Sequence, residues 1–186
     1  MNKPLLIVLA IAVLAVGAGV WLFGGASTPR GIDLVELFDS AQKQSNLGLH
    51  RAFSVGEFTI GGQKRRGIFC HPTSQITWHV TVPERAHFEV AIGMGEESYS
   101  TPGDGARFRV GVLEGGKYTP LFERHLNPAV WAADRGWQPI DLDLSAYAGR
   151  QVDLILNTHA SADGEADPRN DFAVWGSPTI VQVRQP

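Results

Sequence analysis

Cysteine is almost missing from this chain. Cys70 is the only one in 186 residues, so no intrachain disulfide can staple the fold. Its setting, GIFCHP, is apolar and strand-like, and reads as a buried small hydrophobe rather than a reactive thiol. A basic excess is also lacking. Sixteen Lys and Arg stand against nineteen Asp and Glu, a net charge of −3. A nucleic-acid partner would call for a basic face and is not expected.

Catalytic signatures are lacking as well. The chain has no G-x-S-x-G elbow, no phosphate-cradling glycine loop and no H-E-x-x-H pair. Its histidines, His50, His71, His79, His87, His125 and His159, include no close ligand pair. No pair of carboxylates is marked out for glycoside hydrolysis. The sequence therefore points to a protein that is not an enzyme and has no obligatory cofactor.

One long apolar run is present, at the N-terminus. Pro4 to Phe23 carries no charge. About 20 helical residues would cross a hydrocarbon core of about 30 Å. Lys3 precedes the run and the bulk of the chain follows it, so the expected topology is a single-pass anchor over residues 1–23. The C-terminal domain would then lie on the periplasmic side of a bacterial inner membrane. The run exceeds the usual span of a signal-peptide core, which favours an uncleaved anchor.

Residues 24–50 read as a linker, rich in Gly, Ser, Thr and Pro, followed by a short amphipathic helix over about 32–46. Ile32, Val35 and Phe38 recur at three-residue spacing, Asp33 and Glu36 come early, and Lys43 comes late. The stripe either packs on the chain's own domain or meets a protein partner.

Residues 51–186 change character. Alternating apolar and polar residues predict strands near 52–60, 64–70, 75–82, 87–94, 106–114, 117–124, 137–144, 151–158 and 172–184. Glycine, proline and aspartate turns separate them. In DLSAYAGRQVDLIL, two alternating runs flank a turn shaped by Tyr147 and Gly149. Short strands without intervening long helices predict an all-β, antiparallel jelly-roll sandwich.

The runs HPTSQITWHVTVP, PGDGARFRVGV, WQPIDLDLSAYAGRQVDLILNT and FAVWGSPTI resemble bacterial extracytoplasmic jelly rolls of the galactose-binding-like, carbohydrate-binding-module-like kind. The resemblance covers about residues 52–182, and DLSAYAG and WGSP are its most specific pieces. It implies a sandwich that binds either sugars or proteins, because fold alone does not settle function.

Two functions follow as expectations. The first is a membrane-anchored accessory subunit that docks onto a larger bacterial membrane complex, for example a respiratory or photosynthetic one. Its contact residues would be Ile32, Val35, Phe38, Val130 and Trp131, since interfaces favour tryptophan in an apolar surround. The alternative is a membrane-tethered module for cell-envelope glycans, using Trp131, Trp137 and Tyr118 as platforms. The loop ADGEADPRND gathers Asp163, Glu165, Asp167 and Asp171, oxygens of the kind that hold structural calcium, although a solvated acidic loop has the same composition.

Overall fold

A computed structural model describes residues 31–100, 103–160 and 169–183. The expected anchor at 1–23 lies outside these residues. Among the described residues, no helix is long and apolar enough to cross a membrane.

Among the described residues, eleven strands form the domain: β1 Ile32–Asp33, β2 Gln42–Ser45, β3 Phe53–Ile60, β4 Gln63–Cys70, β5 Ser74–Thr81, β6 Ala86–Met94, β7 Ala106–Glu114, β8 Lys117–Leu126, β9 Gln138–Asp143, β10 Gln151–Ala160 and β11 Ala173–Gln182. A single α-turn, α1 Leu49–Ala52, precedes β3. A six-stranded sheet runs β3-β4-β11-β6-β9, with β1 also on β11; a five-stranded sheet runs β2-β5-β10-β7-β8. Every pairing is antiparallel. This is a two-sheet sandwich, and the nine strands expected from alternation are all present.

The inward residues of both sheets make one core. Phe88, Val90, Ile92 and Trp175 from the six-stranded sheet meet Trp78, Phe108, Val110, Leu154 and Leu156 from the other. Phe108 and Trp175 pack edge-on at 5.0 Å, and the Trp175 indole N–H donates to Thr158 Oγ1 at 2.9 Å. That bond satisfies a polar atom that would otherwise be costly to bury. Cys70 is buried beside Thr158, and burial pushes its thiol pKa far above the usual range, so it stays protonated.

The amphipathic helix expected at 32–46 does not form. Asp33 Oδ1 accepts from Val35 N–H at 2.8 Å, and the following bonds, Phe38 N–H to Val35 O and Ala41 N–H to Phe38 O, span three residues. The segment is a series of tight turns between β1 and β2. Lys43 Nζ donates to the Phe38 and Ala41 carbonyls at 2.6 and 2.9 Å, which holds the turns closed. The stripe is used internally: Leu34 and Val35 are 0% and 4% exposed, and Ile32 and Phe38 pack against the core. A three-residue spacing suits turns that drop every third side chain inward as well as it suits a helix. The sandwich thus starts at Ile32, not at residue 51, because β1 and β2 each extend one of the sheets.

Candidate functional site

The face of the six-stranded sheet that points away from the core carries a groove. Antiparallel partners lie on the same face, so the register lays it out row by row. Gly176, Ala91 and Pro139 form one row, and Thr179, Glu89 and Asp141 the next. A β-bulge between Gly176 and Thr179, with Ser177 at φ 49°, opens β11 between the rows. These residues, with Arg65 from β4 and Val181, line a groove of about 550 Å³. Its floor is small and apolar, while its rim carries a guanidinium, two carboxylates and two hydroxyls.

Trp137 lies beside the groove, over Gly176 and Gly93. A methyl group on Gly176 would fall 2.7 Å from its ring, and one on Gly93 would fall 3.1 Å away. Glycine at both positions lets the indole lie flat on the sheet. The indole N–H donates to Gln63 O at 2.9 Å, and the Arg65 guanidinium sits 5.8 Å from the ring centre. The aromatic is therefore held on three sides, and Arg65 links it to the groove.

Glu89 and Asp141 face each other directly across the β6–β9 pair. Like charges placed so oppose folding. His87 offsets this at Asp141, since its Nδ1 lies 2.7 Å from Asp141 Oδ1. That hydrogen bond, assisted by the charges of Asp141, Asp143 and Glu89, raises the His87 pKa above its ordinary value.

The aromatics named from sequence do not converge. Trp137 flanks this groove. Tyr118 is on the five-stranded sheet, 44% exposed, with its phenol lying over Gly111. Trp131 is in the β8–β9 connection at one end of the sandwich. It is 51% exposed, beside Val130 at 65%. Its ring stands perpendicular to His125 at 5.8 Å, and its backbone is tied to Asn127 O at 2.8 Å. The three rings thus belong to three surfaces, and a single glycan site built on all of them is not what the fold provides. Of the calcium candidates, Asp163, Glu165 and Asp167 lie outside the described residues, and Asp171 is buried. Among the described residues, no group of His, Cys, Asp or Glu is arranged to hold a metal ion.

Sequence reading misses Arg65, Glu89, Asp141, Ser177 and Thr179. Strand alternation puts Glu89 and Asp141 on outward positions, but only the pairing shows that they meet.

No family model matches the chain. An uncharacterized protein of Archaeoglobus fulgidus is 29% identical over 146 residues, covering 74% of this chain and 34% of that protein, so the chain spans about a third of this relative's length. Among solved structures, the CBM51 of a Clostridium perfringens GH95, in complex with methyl-galactose, is similar at TM-score 0.51 and 18% identity, covering 82% of this chain and 100% of that one. The CBM51-2 and INT domains of Clostridium perfringens ZmpB, with GlcNAc bound, align at TM-score 0.54 and 16% identity, covering 83% and 32% of the two chains. Similarity at this level shows that this chain shares the β-sandwich fold of carbohydrate-binding modules, and no more than the fold.

Proposed function

We propose that the domain is a non-catalytic glycan-binding module and that the groove beside Trp137 is its saccharide site. One observation carries this reading: a small apolar floor, formed by Ala91 and Gly176, is rimmed by hydroxyl-binding groups next to an aromatic hydrogen-bonded to Gln63 O. A sugar ring presents the matching chemistry, an apolar C–H face edged by hydroxyls. Carboxylates such as Glu89 and Asp141 accept hydrogen bonds from hydroxyls, Arg65 donates them, and Ser177 and Thr179 do both. A concave, largely apolar site with a few convergent polar groups is the usual form of a small-ligand pocket. The carbohydrate-binding modules with the same fold lend support at the level of architecture.

Screening the full chain against an array of neutral glycans tests the proposal. Binding is expected, and it should weaken about tenfold or more in Asp141→Asn and Thr179→Ala, each removing one hydrogen-bonding group from the rim. Both positions point outward, so the fold should survive, and circular dichroism checks this. A silent array, or binding unchanged in both variants, refutes the proposal.

A second reading has its own observation. Val130 and Trp131 are exposed side by side on a connection anchored by hydrogen bonds. An apolar pair held this way suits a protein contact, as in an accessory subunit tethered to a membrane complex by residues 1–23. Extraction in mild detergent followed by sizing separates the two: migration as a lone monomer would count against the subunit reading.

A further inference from the structure

The outward face of the five-stranded sheet carries a second arrangement that the groove does not explain. Register aligns Gln44 with Gln75, Gln75 with Asn157, Asn157 with Arg109, and Arg109 with Glu123. One polar residue from each of five strands therefore stands in a single row. At about 4.8 Å between strands, the row is roughly 19 Å long. Directly opposed residues share a face, and the alternate positions Ile76, Leu156 and Val110 go to the core, so the row points outward.

The row has a chemical gradient. At the β2 end, Gln44, Gln75 and Asn157 line a hollow of about 290 Å³ together with His159 and hydroxyl residues. Side-chain amides both donate and accept, which suits hydroxyl groups. At the β8 end, Arg107 and Arg109 both reach Glu123, at 2.9 and 2.6 Å. Two guanidinium groups against one carboxylate leave a net positive charge, and Arg107 Nε is buried with no hydrogen-bond partner. The local field is visible at His159, paired with Arg107 across β10 and β7. Burial and the charges of Arg109 and Arg107 lower its pKa, against the opposing pull of Glu123. Beside the arginines, the Tyr118 ring lies over Gly111, where a methyl group would fall within bonding-clash range of the phenol oxygen. Arg109, Tyr118 and Glu123 together line a third hollow.

We infer that this row is a second binding site, for an extended glycan chain bearing carboxylates. The amides hold hydroxyls along the chain, Arg107 and Arg109 take a carboxylate, and Tyr118 offers a flat face to a sugar ring. The site lies across the sandwich from the groove beside Trp137 and does not depend on it. With both occupied, the domain would bridge two glycans.

Isothermal titration of the full chain with an oligogalacturonate, the same oligomer methyl-esterified, and an oligomer of sialic acid tests this. At least one acidic oligomer should bind, with the two acidic arms telling uronate from sialate. In the galacturonate arm, the free acid should bind about tenfold or more tighter than its ester. Arg109→Gln and Asn157→Ala should each weaken acidic binding, while Asp141→Asn should leave it unchanged. Binding should also raise the His159 pKa, read by NMR of its ring, because a carboxylate would offset the arginine field. The inference fails if neither acidic oligomer binds, if ester and acid bind alike, or if the arginine and asparagine variants bind like the parent. Binding lost in Asp141→Asn but kept in Arg109→Gln would move the ligand to the groove and equally overturn it. Failure here leaves neutral-glycan binding beside Trp137 untouched.

Discussion

The two sheets present the same inward face and opposite outward ones. Inward, both supply alternating large apolar residues to one core. Outward, the six-stranded sheet is hollowed by Ala91, Gly93 and Gly176, flanked by Trp137, and negative where Glu89 faces Asp141. The five-stranded sheet has a row of amides that ends in two arginines sharing one carboxylate. Core packing tolerates many apolar solutions, so the inward faces converge. The outward faces are free of that demand, and their differences are what carries chemistry.

The largest expected effect removes the distinction altogether. Trp175→Ala deletes a fully buried indole that packs on Phe108 and bonds Thr158. A loss of about 3–5 kcal/mol is expected in urea unfolding. Binding at both outward faces should fail together at temperatures where the parent is folded. If one face kept its ligand, the sheets would not depend on a common core.

Gly176→Val should separate the faces. Its side chain would collide with the Trp137 ring and lift it from the sheet, at a cost of about 1–3 kcal/mol. Neutral-glycan binding should fall about tenfold or more, while binding of acidic oligomers at the five-stranded sheet should persist. Tyr118→Ala is the reciprocal change and should have the opposite pattern, with a smaller effect on stability because the ring is 44% exposed.

Smaller effects come from two histidines whose shifts run in opposite directions. His87 on the six-stranded sheet has a raised pKa in the folded state, caused first by its bond to Asp141. Its contribution is fully present below the unfolded value of about 6.5 and is lost as pH rises through the folded value. His159 on the five-stranded sheet has a lowered pKa, caused first by burial and then by Arg109 and Arg107. The folded state resists its protonation, so stability is lost as pH falls below about 6.5 toward the folded value. Melting temperatures of His87→Gln and His159→Gln across this range should show the two losses separately. Identical pH profiles for both variants would contradict the opposite shifts of the two histidines.

Much of this architecture is legible in the sequence. Period-two alternation locates nine strands. DLSAYAG reads as a turn and is one: Asp143 Oδ1 accepts from Ser145 N–H at 2.7 Å, and Gly149 takes φ 73°. The segment 32–46 reads as a helix because its apolar residues recur every three positions. What decides the matter is non-local, namely Leu34 N–H bonding to Pro178 O and β2 pairing with β5. The aromatic candidates are found by type, but type carries no information on which surface a ring occupies. The arginine, carboxylate and hydroxyl residues of the groove carry no local signal, since an outward Asp on a strand is ordinary.

By itself, then, the sequence determined the nine strands from β3 to β11, their inward residues, the buried cysteine and turns such as DLSAYAG, because these follow from alternation, hydrophobicity and local backbone chemistry. Only the tertiary structure decided which strands are neighbours. That choice set Glu89 against Asp141, laid Trp137 over Gly176 and lined up Gln44, Gln75, Asn157, Arg109 and Glu123. Pairing across distant segments depends on the closure of the whole core, and no local pattern encodes it.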